Sequence, residues 1–333
     1  MRALGSARSG AARLADGALE LTVAGGFGSP GIRLRRRMFS WEELPEMRGR
    51  RVLITGATSG IGRAAALQMA GLGAEVAIIG RDPARTRSTA QEIAAAGAGP
   101  RTGAGYFLAD LRLLSDARRV AEEIIAEGKV WDVLIHNAGA LVRTYERTSE
   151  GFEATYASQV LSQHVLTTRL LPVLARGADP RVIVVSSGGM YAEKLDLDTV
   201  QMSPDDYDGV RPYARAKRAQ VTLNQQWAAR FPGCGVEFHC MHPGWADTPG
   251  VQDALPGFRR VTQAILRTPE EGADTCVWLA ASTTLPAPSG TFWLDRRPRG
   301  TVRVPGTSPD PADGARLWEL VCEQTGERPH DDR

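Results

Sequence analysis

Eight residues, Thr55-Gly56-Ala57-Thr58-Ser59-Gly60-Ile61-Gly62, separate the apolar run Val52-Leu53-Ile54 from the run Arg63-Ala64-Ala65-Ala66-Leu67-Gln68-Met69-Ala70. The first run suits a strand buried in a parallel sheet. The second is rich in alanine and leucine, which favour helix. A glycine-rich turn between strand and helix leaves backbone N–H groups unpaired over the helix N-terminus, where the helix dipole favours a phosphate. Gly56 is expected to permit the tight turn, Gly60 the close approach of a ligand, and Gly62 the packing of helix on strand. In a chain with 36 glycines the triplet alone carries little. Its place between a strand and a helix is what points to a nucleotide.

The alternation continues along the chain. Strands are expected over 51–54, 75–79, 106–109, 131–136, 181–185, 236–241 and 291–294, and helices over 61–72, 83–96, 116–128, 149–176, 213–231 and 269–281. Ser115 reads as the N-cap of the third helix. Apolar strands without polar alternation imply burial on both faces, hence a parallel sheet covered by helices. Right-handed crossovers then make the fold α/β, a single Rossmann-type doubly wound parallel sheet of about seven strands with helices on both faces. The chain divides into an N-terminal arm (1–48), a dinucleotide-binding domain that includes the substrate loops (49–300), and a C-terminal extension (301–333) with a helix near 312–325.

A formal net charge of +2 offers nothing to nucleic acid. Cysteines 234, 240, 276 and 322 form no CxxC pair and match no zinc spacing, so no metal is expected, and free thiols suit the cytoplasm. No run reaches the ~18 apolar residues of a membrane span, and the N-terminus lacks the apolar core of a signal peptide. In the arm, Arg33, Arg35, Arg36 and Arg37 stand beside Met38, Phe39 and Trp41. Such a composition suits weak contact with an anionic membrane surface, or an arm that packs loosely on its own domain.

Ligands of a doubly wound sheet sit beyond the carboxyl ends of its strands. The first end supplies Gly56, Ser59, Gly60, Ile61 and Gly62. The second is Gly80-Arg81-Asp82, where an NAD site would place an acidic residue at the tip. Arg81 suits a 2′-phosphate in charge and in its planar fork of donors, so NADP is favoured over NAD. The competing reading pairs Arg81 with Asp82 on the surface. At the third end Asp110-Leu111 offers a carboxylate to an adenine amino group or to a helix cap. The fourth, Asn137-Ala138-Gly139, offers small residues on which a cofactor can lie. The fifth ends in Ser186-Ser187-Gly188-Gly189. Tyr213 and Lys217, four apart in Tyr213-Ala214-Arg215-Ala216-Lys217, share a helix face. A tyrosine of reference pKa ~10 becomes useful near neutral pH when an ammonium and a cationic nicotinamide favour its phenolate.

In order, TGATSGIG (55–62), DL (110–111), NAG (137–139), SS (186–187), YARAK (213–217) and HPG (242–244) resemble the motifs of the short-chain dehydrogenase/reductase family, from about Arg51 to Asp295. The stretch 241–251 is further similar to the dehydrogenase/reductase SDR family member 12 group, near the retinol-dehydrogenase-like branch, and the long interval from Ser187 to Tyr213 is similar to that branch. The resemblance implies an NAD(P)-dependent oxidoreductase, preferring NADP(H), that exchanges a hydride between nicotinamide and a carbonyl or alcohol. It implies Tyr213 as acid/base, Lys217 on the nicotinamide ribose, Ser187 on the substrate oxygen, and Pro243, Gly244 and Thr248 along the nicotinamide amide and pyrophosphate. The same resemblance leaves a homo-oligomer open.

One position departs from the family pattern. The long helix after the fourth strand usually carries an asparagine that positions a relay water, and Gln159 stands there. Its extra methylene moves the amide, which leaves a second reading, an NADPH-binding sensor with little or no turnover. Specificity is expected in 188–212 and 247–267. Asp196, Asp198, Asp205, Asp206 and Asp208 mark a solvated loop. Trp245, Val251, Leu255, Phe258 and Val261 offer apolar surface to a lipophilic small-molecule substrate.

Overall fold

The computed structural model of the protein describes residues 12, 14–20, 22–97, 105–254 and 256–328. The strands are β1 (Arg51–Thr55), β2 (Glu75–Gly80), β3 (Gly105–Leu108), β4 (Val133–His136), β5 (Arg181–Val185), β6 (Glu237–Met241), β7 (Phe292–Leu294) and β8 (Arg297–Pro298). They form one sheet in the order β3-β2-β1-β4-β5-β6-β7-β8. The seven expected strands run parallel. The eighth is an addition, a two-residue return antiparallel to β7. β1 lies between β2 and β4, so the winding reverses there, where a doubly wound sheet opens its ligand crevice.

Residues 14–20 are helical. After them come α1 (Val23–Phe27), α2 (Ser29–Met38), α3 (Gly60–Gly71), α4 (Pro83–Ala96) and α5 (Leu114–Ala126). α6 spans 154–174 in three parts: Ala154–Tyr156, a π-helical turn Ala157–Leu161, and Ser162–Leu174. α7 (Val210–Arg230), α8 (Pro249–Ala254), α9 (Pro256–Thr262), α10 (Pro269–Ala281) and α11 (Asp313–Thr325) follow.

Alternate strand residues feed two separate cores. Leu53, Ala77, Leu134, Val182 and Phe238 face α5, α6, α7 and α11. Val52, Val76, Val133, Ile183 and Met241 face α3, α4 and α10. Both faces are therefore dry, and this is why the strands read as unbroken apolar runs. Leu317, Trp318, Val321 and Cys322 of α11 belong to the first core, so the C-terminal helix is part of the domain's packing.

Ser115 does not cap α5. The helix begins two residues earlier than expected, with Leu113 at the cap position, and the backbone N–H groups of Leu114 and Ser115 donate to the Glu150 carboxylate at 2.5 and 2.9 Å. A carboxylate at a helix start is favoured by the dipole as well as by the bonds. The long helix after β4 starts at Ala154 instead of near 149. Glu153 accepts the N–H groups of Thr155 and Tyr156 at 2.7 and 2.9 Å and sets the boundary.

The described part of the N-terminal arm is docked firmly on the domain. Arg35 is completely buried and bonds Asp16 at 2.6 Å and Asp295 at 2.7 Å. Arg33 pairs with Glu271 and Arg36 with Asp274. Arg296 lies 4.4 Å over the Trp41 ring and Arg297 4.0 Å over Phe39. Three of the four clustered arginines and both aromatics thus have partners inside the protein.

Candidate active site

A cleft of about 850 Å³ opens beyond the carboxyl ends of β1, β2, β4 and β5. Its floor is the glycine turn. Gly56 has φ +67°, and a Cβ there would stand 2.6 Å from Ala138 Cα. Gly60 has φ +54°, another conformation that suits glycine. Gly62 makes room for a side chain: a Cβ would run into Asn137 Nδ2, which donates to the carbonyls of Thr55 at 3.1 Å and Gly56 at 2.9 Å. Asn137 thus fastens the tip of β4 to the turn. Thr55, to which the sequence reading assigned no part, completes the fastening. Its hydroxyl accepts the N–H groups of Asn137 and Ala138 at 3.0 and 2.9 Å. Ser59 stands at the N-cap of α3 without a side-chain capping bond, so the first N–H groups of α3 are not closed off by that hydroxyl.

Arg81 stands exposed at the tip of β2 on the cleft wall, with Arg85 beside it in the lining. Asp82 does not pair with it. That carboxylate caps α4, accepting from Arg85 N at 2.8 Å, and Arg81 has no ion-pair partner among the described residues. Asp110 also lines the cleft but caps no helix. It accepts from the Arg112 backbone at 3.1 Å and from its guanidinium at 2.6–3.0 Å, while Arg112 reaches on to Glu146 at 2.5 Å. Burial would raise the Asp110 carboxyl, and the bonds from Arg112 more than offset it, holding the group below the usual carboxylate range.

Ser187, Tyr213 and Lys217 meet at the other end of the same cleft. The two serines are not equivalent. Ser186 is buried and donates to the Lys217 carbonyl at 3.0 Å, tying β5 to α7. Ser187 is left in the cleft, accepting from Gly189 N at 3.2 Å, with its hydroxyl acting on Tyr213. Lys217 is buried, donates to the Val185 carbonyl at 3.0 Å, and lies 5.2 Å from the centre of the Tyr213 ring. Burial lowers its pKa to about 7. Burial raises Tyr213, and the Ser187 hydroxyl offsets only part of that rise. The lowering expected from the sequence draws on the ammonium together with a cationic nicotinamide, and of these the ammonium does not offset the burial. The ammonium is spent on a carbonyl and lies over the ring, so burial dominates.

Gln159 does not line the cleft. It sits in the π-helical turn, fully buried, with Nε2 donating to Ala140 O at 3.0 Å and its own carbonyl accepting from Gln220 Nε2 at 2.8 Å. Oε1 has no partner among the described residues. A Cβ on Gly139 would be 2.9 Å from that oxygen and 3.2 Å from Lys217 Nζ, so the amide and the ammonium back onto the same glycine.

The remaining expected positions, Ile61, Leu111, Ala138, Gly139, Pro243, Gly244 and Thr248, all line the cleft. Of the apolar candidates, Trp245 and Val251 do so, and Val261 is 84% exposed on α9 and is not in the lining. Leu255 and the side chain of Phe258 lie outside the described residues. Leu141, Val142 and Val210, which sequence reasoning passed over, supply apolar wall. Phe27 was missed as well. It lies far upstream, yet its ring stacks on Trp245 and its carbonyl accepts Trp245 N at 2.8 Å. Among the described residues no cluster of ligating side chains could hold a metal ion.

The family model for short chain dehydrogenases matches residues 50–257. Dehydrogenase/reductase SDR family member 12 of Bos taurus is 40% identical over 277 residues, covering 83% of this chain and 86% of the relative. Retinol dehydrogenase 14 of Mus musculus is 32% identical, covering 96% and 94%. Among solved structures, an uncharacterized protein from Mycobacterium paratuberculosis superposes with a TM-score of 0.69 at 27% identity, over 86% of this chain and 97% of that one. A 3-oxoacyl (acyl-carrier-protein) reductase from Agrobacterium tumefaciens, with NADP bound, superposes with a TM-score of 0.59 at 25% identity, over 74% and 93%. The chain belongs to the short-chain dehydrogenase/reductase family of NAD(P)-dependent oxidoreductases, in the branch that holds dehydrogenase/reductase SDR family member 12 and the retinol dehydrogenases.

Proposed function

We propose that the protein is an NADP(H)-preferring reductase of lipophilic carbonyl compounds, with Tyr213 as its proton donor. The observation that carries this reading is the meeting of Ser187, Tyr213 and Lys217 in one cleft with the glycine turn. The cleft suits a dinucleotide: Gly56 and Gly60 have the backbone a phosphate cradle needs, the Ser59 side chain does not cap the α3 N-terminus, and Arg81 at the β2 tip has no ion-pair partner among the described residues. When bound, NADPH would supply the hydride.

The residues of this chain divide the remaining work. Gly56, Ser59, Gly60, Ile61 and Gly62 would border the pyrophosphate and Arg81 the 2′-phosphate. Asp110 and Leu111 would border the adenine, and Asn137, Ala138 and Gly139 the adjoining ribose. Pro243, Gly244 and Thr248 would flank the nicotinamide, with Lys217 on its ribose. Ser187 would donate a hydrogen bond to the substrate carbonyl oxygen and hold it beside Tyr213. Tyr213 Oη would then pass its proton to that oxygen as negative charge builds there. Tyr213, raised by burial, is protonated at neutral pH and can serve as the acid in the reductive direction. Gln159 would have a supporting part: its Oε1, without a partner among the described residues, would accept a hydrogen bond from a water near Lys217.

The substrate end is walled by Leu141, Val142, Val210 and Trp245, which supports an apolar substrate, as does the name of the retinol dehydrogenase relatives. The four free cysteines suit a reducing compartment such as the cytoplasm. No helix among the described residues is long and apolar enough to cross a membrane. The test is oxidation of NADPH and NADH, side by side, across a panel of lipophilic aldehydes and ketones. Turnover with NADPH preferred is the expected result. Binding of NADPH with no turnover of any carbonyl would favour the sensor reading instead.

A further inference from the structure

Phe27 lies outside the residues that the family model matches, yet it touches both loops at the substrate end of the cleft. Its carbonyl accepts the N–H of Trp245 at 2.8 Å. Its ring stacks on Trp245 with centroids 5.7 Å apart and planes 14° apart, and lies 5.2 Å from His242. An edge of the ring abuts Gly188, beside Ser187: a Cβ there would stand 2.7 Å from Phe27 Cε1.

Neighbouring bonds hold the residue in place. Ser29 N donates to Ile265 O at 2.8 Å. Arg267 donates to the carbonyls of Gly28 at 3.3 Å and Pro243 at 3.1 Å, and its backbone N–H bonds Trp245 O at 2.7 Å. Arg303 lies 5.3 Å over the Phe27 ring, and Arg35 donates to Gly25 O at 3.0 Å. α1 is thus wedged between the turn after β5 and the turn after β6, and both of its neighbours line the cleft.

We propose that Phe27 is a positioning residue that sets the spacing between the Ser187 turn and the Pro243–Trp245 turn, and so makes the N-terminal segment part of the substrate site. Its kinetic consequence rests on the reductase reading above, and its structural consequence does not. Removing the ring lets Trp245 and Ser187 drift independently, while the glycine turn at 55–62, fastened to the tip of β4 through Asn137, keeps its place.

The test uses the full chain with Phe27→Ala, Phe27→Leu, Gly188→Ala and the double variant Phe27→Ala/Gly188→Ala. Hydrogen exchange is expected to quicken in peptides spanning 186–192 and 243–250 of Phe27→Ala and to stay unchanged over 52–62. KM for a carbonyl substrate should rise about tenfold, the scale of one lost aromatic stack, with KM for NADPH held within about twofold. Leucine should restore most of the loss. Gly188→Ala alone crowds the ring, and the double variant should regain what each single variant loses, because the new methyl occupies space the ring has left. Unchanged exchange in both loops, or effects of residues 27 and 188 that simply add, would overturn the proposal. Should Phe27→Ala not fold, Phe27→Leu with Gly188→Ala gives the same cycle. A wild-type protein that turns over no carbonyl sinks the reductase reading, and the exchange data still decide the role of Phe27.

Discussion

Arg35 Nη1 lies 2.7 Å from Asp295 Oδ2, and both side chains are wholly shut off from solvent. Asp295 also takes Arg267 Nη1 at 2.6 Å, so one carboxylate joins the N-terminal segment to the arginine that braces Pro243. It does so from the tight β7–β8 turn, where Asp295 and Arg296 have φ of +52° and +55°. Aspartate is among the few residues that adopt this backbone readily.

Replacing Asp295 by alanine would strip the buried Arg267 guanidinium of its carboxylate and leave the buried Arg35 beside it with Asp16 alone. The expected cost is about 3–5 kcal/mol of folding stability. Arg35→Met should cost less, because Asp295 keeps Arg267 and Asp16 keeps Arg299. Urea unfolding midpoints of the two variants against wild type check the order.

Tyr213→Phe removes the proposed proton donor without emptying the cleft. A fall of about 10²–10⁴ in kcat is expected, with NADPH affinity preserved. Steady-state rates together with a direct NADPH titration separate the two quantities, and full activity in this variant would end the mechanism.

Lys217 supplies a pH dependence whose sign follows from its burial. Its pKa is lowered to about 7, so the ammonium is present below that pH and lost above it, while Tyr213, raised by burial, stays protonated across the same range. kcat/KM for NADPH, which reports groups of the free protein, should therefore decline as pH rises through about 7. A profile flat from mildly acidic to mildly alkaline pH would remove Lys217 from cofactor binding.

Arg81 is the residue on which NADP preference is placed. Arg81→Ala should lower kcat/KM for NADPH by about tenfold or more, the value of a hydrogen bond to a charged group, and leave NADH nearly untouched. Equal losses with both cofactors would mean that the guanidinium does not meet the 2′-phosphate.

Whatever depends on neighbours in the chain was readable from the residues. β5 and the helices Pro83–Ala96 and Pro269–Ala281 have the bounds that their apolar runs and prolines suggest, and the doubly wound sheet follows from strands that are dry on both faces. The expected cofactor positions converge on one cleft because the strand ends of such a sheet all point the same way.

What the sequence by itself determined is the seven parallel strands, the turn that opens the crevice, and the family. Only the tertiary structure decided how distant groups are paired. Glu150, not Ser115, caps α5 from 36 residues away. Asn137 turns its amide into the glycine turn, and Arg35 reaches Asp295 across 260 residues to make a docked wedge of what reads locally as a loose basic arm. The direction of the Tyr213 shift belongs with these, since it depends on where Lys217 points and how much water reaches the ring. Periodicity records which face of an element is dry. Partners across the fold, and the burial that shifts a pKa, leave no local periodic signature, so they became visible only once the chain was closed on itself.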